Sequence, residues 1–212
     1  MIIKILLSMI LGYAIGSVVM AILISKLAFK EDIRDKGSGN SGATNAARVY
    51  GLPFGVFTFA GDFLKGLLAC LIGRLIGGSG VGTWAEGASV CMAFAGFFCI
   101  VGHCFPILFG LRGGKGVSVG AALALMIDWR IFLIAIGCFL LGAFLSKRVS
   151  VGSLLGAAAV GVFSIVFAPL AIVKILGAAA AVLVIYMHRR NIDRLLHGKE
   201  AAFTLGSRRP LK

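Results

Sequence analysis

Apolar residues occur in this chain as long unbroken blocks, and polar residues gather in the stretches between them. The first block, Ile2 to Ser25, is interrupted only by Lys4 and is long enough to cross a hydrocarbon core, which takes ~20 helical residues. It exceeds the roughly 7–15 apolar residues of a cleaved signal segment, so it counts as a first span. Further blocks run from Leu52 to Gly73, Ala85 to Phe109, Val117 to Ile127, Ile131 to Ser146, Val151 to Ala168 and Leu170 to Met187. The pattern predicts a single all-α integral membrane domain over residues 1–212 with about seven transmembrane helices. The fourth and fifth blocks are short for a full crossing at ~1.5 Å per residue. Five spans with one re-entrant hairpin is the alternative.

Composition agrees with a membrane chain. Of 212 residues, 59% are hydrophobic and only 14% charged, against roughly a quarter charged in soluble domains. Disorder is excluded by the same numbers. The five cysteines (Cys70, Cys91, Cys99, Cys104 and Cys138) show no paired spacing and sit mostly in apolar runs, which reads as small core residues.

The formal charge of +13 needs a reason. Basic residues alternate between the connections. One side carries Lys26, Lys30, Arg34, Lys36 and Arg48, then Arg112 and Lys115, then Lys147 and Arg148, then Arg189, Arg190, Arg194, Lys199, Arg208, Arg209 and Lys212. The other side holds only Lys4, Arg74, Arg130 and Lys174. The positive-inside bias therefore predicts an outside N-terminus and a cytoplasmic C-terminus. Charges spread over four segments, with no recognition helix, disfavour nucleic acid as a partner. A juxtamembrane basic tail attracted to anionic lipid accounts for Arg208, Arg209 and Lys212.

The same basic segments are rich in Gly, Ser, Asn and His. The first contains Gly37-Ser38-Gly39-Asn40-Ser41-Gly42-Ala43-Thr44-Asn45, with Arg48 one helical turn after Thr44. Its glycines match GxGxxG formally, but a dinucleotide site needs a preceding strand. A glycine-rich loop opening a helix still offers N–H groups to an anion, and Ser38, Asn40, Thr44 and Asn45 add neutral hydrogen-bonding groups. The second segment reads Gly102-His103-Cys104-Phe105-Pro106, then Arg112-Gly113-Gly114-Lys115-Gly116. Nothing bulky shields the Lys115 ammonium, which suits it to phosphate; snorkelling at a helix end is the plainer role. His103, in the last turn of a span, is a weaker candidate that could instead bond a nearby carbonyl. In the third segment, Ser150 suits a helix cap, and Ser153 could face a site.

In the fourth segment, His188, Asn191 and Ile192 share a face if the last span continues helically, with Arg190 and Arg194 on another. Arg189 is taken with them as a candidate. His188 to Asp193 also spells HxxxxD, an acyltransferase signature, but a helix sets residues five apart about 140° from one another. Asp62 and Lys65 fall within a span at i, i+3, where a neutralising pair is expected, serving either structure or a functional relay.

Taken together, Gly37–Asn45, Gly102–Pro106 with Arg112–Gly116, and His188–Leu195 resemble the three signature segments of the bacterial acyl-phosphate:glycerol-3-phosphate acyltransferases, the PlsY family. Asp62-Phe63-Leu64-Lys65-Gly66 and the turn at Lys147–Ser150 resemble it as well. The match runs through the whole chain in order. The resemblance implies acyl transfer from acyl phosphate to the 1-hydroxyl of glycerol 3-phosphate, giving lysophosphatidic acid and phosphate. It implies no metal or cofactor, and no acyl carrier protein or CoA thioester as direct donor. It further implies that Ser38, Gly39, Asn40 and the Gly113–Gly116 loop with Lys115 hold the donor phosphate. Arg48, Ser153, His188 and Asn191 would hold glycerol 3-phosphate. Two departures stand out: Ser118-Val119 where the family commonly has Ala-Thr, and Arg112 where Lys is usual.

Two dianionic phosphates need about four compensating cationic or N–H-rich groups. Lys115, Arg48, protonated His188 and the glycine loops are the candidates. Lys115, with Ser38 and Asn40, suits the departing phosphate and developing oxyanion, and His188 is the best candidate base, unless a substrate phosphate oxygen takes that role. An anion or organophosphate transporter is the rival from another class. It would need paired broken spans and midplane polar groups, and no convincing repeat is present.

Overall fold

The computed structural model describes residues 1–78 and 84–202, with backbone alone at Trp84 and Ala85. Arg208, Arg209 and Lys212 lie outside the described residues. Within these there are ten α-helices, two short 3-10 turns and no strand. The helices are α1 (Ile2–Gly16), α2 (Met20–Ala28), α3 (Ala43–Tyr50), α4 (Leu52–Gly77), α5 (Trp84–Cys104), α6 (Val117–Ile127), α7 (Trp129–Ser146), α8 (Val149–Phe167), α9 (Ala171–Met187) and α10 (Arg189–Leu196). All seven apolar blocks appear as helix, in order, with the first broken between α1 and α2.

By length and apolarity, five segments qualify as spans: Ile2–Ala28, Leu52–Gly77, Glu86–Phe109, Trp129–Ser146 and Val149–Phe167. Counting α9 with α10 makes six. The fifth block is thus long enough, at 18 residues in α7. The fourth is not: α6 has 11 residues, about 16 Å of rise against a core of ~30 Å. The last helix does not run straight on either. It bends by 55° at His188, where Arg189, Arg190 and Arg194 turn α10 away from the apolar direction of α9.

The bundle is built as the bilayer requires, with large apolar residues outward and small ones between helices. On α1, Ile2, Ile3, Leu6 and Ile10 are exposed while Ser8, Gly12 and Gly16 are buried. The buried stripe lets α1 lie directly on the backbone of α5: a Cβ at Gly12 would run into the Ala95 carbonyl, and one at Gly16 into that of Cys99. α4 repeats the device toward α5 with Gly73 and Gly77, and α7 meets α8 through Gly142 and Gly152. Cys70, Cys91, Cys99 and Cys104 are buried as small core residues, while Cys138 is half-buried.

Gly12→Val should therefore cost at least ~1–3 kcal/mol, because backbone on backbone cannot yield to an inserted side chain. Thermal unfolding in detergent should show a clear drop in Tm, whereas Ile10→Val on the exposed face should leave Tm within error.

Candidate active site

The first glycine-rich loop is shaped by left-handed backbone at Gly37 (φ 58°) and Gly39 (φ 72°), a conformation that costs most residues energy and glycine none. Asn45 braces it from inside. Its Oδ1 accepts from the Ser38 N–H at 2.9 Å, and its Nδ2 donates to the carbonyls of Lys36 at 3.0 Å and Ile33 at 3.4 Å. A Cβ at Gly37 would overlap that Asn45 side chain. Asn45 thus spends its amide on holding the loop that places Ser38 at the cavity wall. Gly42 caps α3, and Thr44 and Arg48, one turn apart on α3, line the same cavity.

The second loop uses its glycines differently from the sequence expectation. Gly113 N–H donates to the Cys104 carbonyl at 3.1 Å and Gly114 N–H to that of His103 at 3.0 Å. Those donors close the end of α5 and do not face an anion. A Cβ at Gly113 would overlap the His103 carbonyl, and one at Gly114 the His103 ring. Neither glycine lines the cavity, nor does Gly39; Lys115, Gly116 and His103 do. The two loops are stapled together by Arg34, whose Nη1 donates to the carbonyls of Phe109 at 2.7 Å and Arg112 at 3.1 Å. Asp32 holds Arg34 at 2.7 Å, and the hydrogen bond from Arg34 lowers the Asp32 carboxyl to about 2.

Ser150 does not cap α8. The cap position is Arg148, whose N–H donates to Ser146 Oγ at 3.1 Å. Ser150 and Ser153 both stand on the cavity wall, with Ser153 Oγ bonded to the Val149 carbonyl at 3.0 Å. His188, 2% exposed, occupies the bend. Its Nδ1–H donates to the Val184 carbonyl at 2.8 Å, so Nε2 keeps the free lone pair. Asp193 pairs with His197 at 3.4 Å, so HxxxxD forms no pair. Arg189 stacks over Tyr186 at 4.5 Å and does not line the cavity.

The segments enclose one cavity of about 730 Å³. Its polar end gathers Ser38, Asn40, Thr44, Asn45, Arg48, His103, Lys115, Gly116, Ser150, Ser153, His188 and Asn191. Its other end is apolar, walled by Ala121, Phe132, Ala135, Ile136, Phe139, Leu140 and Val160 of α6, α7 and α8. Asp62, Arg194 and Lys199 also stand at the wall, and two residues there, Phe59 and Glu200, were not singled out by sequence. Glu200 matters most. Its carboxylate accepts from Asn191 Nδ2 at 2.7 Å and Arg194 Nε at 2.6 Å, and its carbonyl from Arg148 Nε at 3.0 Å. A rare acidic residue in a basic tail was the available signal.

Burial lowers the Lys115 amine to about 8, helped by the nearby charges of Arg194 and Arg48 and opposed by Glu200. Burial, then the charge of Lys115, pushes His188 down to about 4. His188 is therefore neutral at pH 7, contrary to the expectation that it adds positive charge. Arg48, Arg194 and Lys199 stand with Lys115 in its place. Burial alone would raise the Glu200 carboxyl, but its bonds from Asn191 and Arg194 hold it low.

The family model described as glycerol-3-phosphate acyltransferase matches residues 6–198. A glycerol-3-phosphate acyltransferase of Finegoldia magna is 38% identical over 193 residues, covering 89% of this chain and 91% of that one. Glycerol-3-phosphate acyltransferase 2 of Bacillus anthracis is 35% identical, covering 92% and 97%. Among solved structures, the integral membrane glycerol 3-phosphate acyltransferase PlsY in its glycerol 3-phosphate form superimposes with a TM-score of 0.84 at 31% identity, covering 94% of this chain and 96% of PlsY. With that length of match, the polytopic fold and a cavity that is cationic at one end and apolar at the other, the chain belongs to the glycerol-3-phosphate acyltransferase family of PlsY type.

Proposed function

We propose that this acyltransferase takes its acyl group from acyl phosphate and delivers it to the 1-hydroxyl of glycerol 3-phosphate, releasing lysophosphatidic acid and inorganic phosphate. The observation that carries the reading is the two-ended cavity. One end gathers Arg48, Lys115, Arg194 and Lys199, suited to phosphate; the other is a purely apolar channel between α6, α7 and α8, suited to a fatty tail. Four basic segments meeting at one end of the bundle support a cytoplasmic site in a bacterial inner membrane. The same gathering of polar groups at one end speaks for an enzyme over a transporter. As the first acylation of glycerol 3-phosphate, the reaction opens phospholipid synthesis.

The chemistry asks little of the protein beyond placement and charge. The 1-hydroxyl oxygen attacks the acyl carbonyl carbon, the bond from that carbon to the phosphate oxygen breaks, and phosphate leaves with the electron pair. Lys115, with Ser38 and Asn40, stabilises the departing phosphate and the oxyanion. The hydroxyl proton passes to His188 Nε2, which holds the free lone pair and becomes more basic once a dianion lies beside it. Arg48, Ser150, Ser153 and Asn191 hold glycerol 3-phosphate, with Thr44 at the junction. Gly39, Gly113, Gly114 and Asn45 serve through the shape of their loops, and Gly116 opens α6 beside Lys115. No covalent acyl-enzyme is needed, nor an acyl carrier protein or a metal.

Purified protein offered acyl phosphate, acyl-CoA or acyl carrier protein thioester should release lysophosphatidic acid efficiently from the first alone. Equal use of a thioester would overturn the donor assignment. Arg48→Ala should raise the KM for glycerol 3-phosphate by about 10–100-fold, as expected for a lost charge-assisted hydrogen bond. An effect confined to acyl phosphate would mean the two pockets are exchanged. Because the Lys115 amine titrates near 8 in the free protein, it is a cation below that pH and neutral above it. Thus kcat/KM for acyl phosphate should fall as pH rises through about 8, and Lys115→Arg, cationic throughout, should remove that fall.

A further inference from the structure

Three ionisable side chains lie buried together where the α1–α2 break meets α4 and α5: Asp62 is 1% exposed, Lys65 8% and His103 4%. The Lys65 ammonium reaches the carbonyls of Gly16 at 3.0 Å and Val18 at 2.5 Å, Asp62 Oδ1 at 2.8 Å and His103 Nδ1 at 3.0 Å. An ammonium has hydrogens and no lone pair. Its three hydrogens face four acceptor positions, so one is shared between Asp62 Oδ1 and His103 Nδ1, which stand side by side, and Nδ1 accepts. The ring then carries its single proton on Nε2. Charge balance agrees, since Asp62 matches one buried cation, and a protonated His103 beside Lys65 would leave a second one uncompensated. Asp62 Oδ1 stands farther from Nδ1, at 3.5 Å.

The opposite edge of that ring packs against Gly114, where any side chain would overlap Nε2, and the ring forms part of the cavity wall. Lys115 is the next residue. The geometry points to His103 as a fixed, neutral hydrogen-bond donor: its Nε2–H serves a phosphate oxygen held beside Lys115, and Asp62 and Lys65 are positioning residues that act through it. This rests on the reading of the cavity as a phosphate site and adds a division of labour between its histidines. His188 presents a lone pair, His103 a proton that it does not give up.

The test starts from the protein without acyl substrates. The chain has three histidines, so the His103 signals in ¹⁵N-histidine-labelled protein in detergent are assigned by comparison with His103→Gln. The expected spectrum shows a proton-bearing Nε2 and a proton-free Nδ1, and titration with inorganic phosphate shifts Nε2. A proton on Nδ1, a doubly protonated ring, or no response to phosphate overturns the proposal. In turnover, His103→Gln places an amide nitrogen near the position of Nε2, and His103→Asn near that of Nδ1. The former should keep kcat/KM for acyl phosphate at least about tenfold above the latter, the scale of one hydrogen bond to a charged group. Equal activities of the two variants overturn it as well. Should the wild-type chain not use acyl phosphate, the donor assignment fails, and the spectrum and phosphate titration still decide the role of His103.

Discussion

Breaking a helix inside a bilayer leaves carbonyls with no water to turn to. Here the carbonyls of Gly16 and Val18 are taken up by the Lys65 ammonium, while the first N–H of α2, on Met20, reaches Asp62 Oδ1 at 3.4 Å. One ion pair on α4 thus satisfies both ends of the break. It also binds α5 through His103. The redirected chain then passes through α2 to Ile33, whose N–H donates to Ser25 Oγ at 3.2 Å, and on into the loop that holds Ser38. Removing either charge would orphan its partner at a depth where an isolated charge is costly.

Cations gathered around one cavity repel one another, and the protein limits that cost in two ways. It keeps His188 neutral, and it draws Glu200 onto Arg194 and Asn191. Glu200 also ties the chain beyond α10 to Arg148 at the start of α8. These bonds tie α8, α10 and the chain after α10 together at the polar end. Burial is the main reason the Lys115 amine is depressed, with the charges of Arg194 and Arg48 adding to it.

The helical architecture was legible in sequence because apolar blocks of spanning length have few other uses. The pairing of Asp62 with Lys65 was legible for a related reason, since an isolated charge within a span is costly, but whether the pair served structure or a relay was left open. What lay beyond the sequence was the use made of individual donors. Gly113 and Gly114 looked like phosphate ligands, yet their N–H groups finish α5, because the loop folds back onto the helix end, whose last carbonyls need donors. Asn45 looked like a ligand and is a brace. The tying roles of Glu200 and Arg34 went unnoticed because Glu200 reaches Arg148, and Arg34 reaches Phe109 and Arg112, across long stretches of sequence. Local pattern tells which segments are polar; only the folded chain tells where each hydrogen bond is spent.

The short α6 sets the depth of the reaction. α6 and α7 are joined by Asp128 alone, so they start from one level. α7 then climbs 18 residues to Lys147, whereas α6 spans only 11 back to Gly116. At equal tilt, Lys115 lies about 10 Å below the level of Lys147. A fatty chain lying in the bilayer would meet its phosphate partner without being lifted into water. The soluble partner would descend instead, and a lipid product would already be at the depth where it belongs.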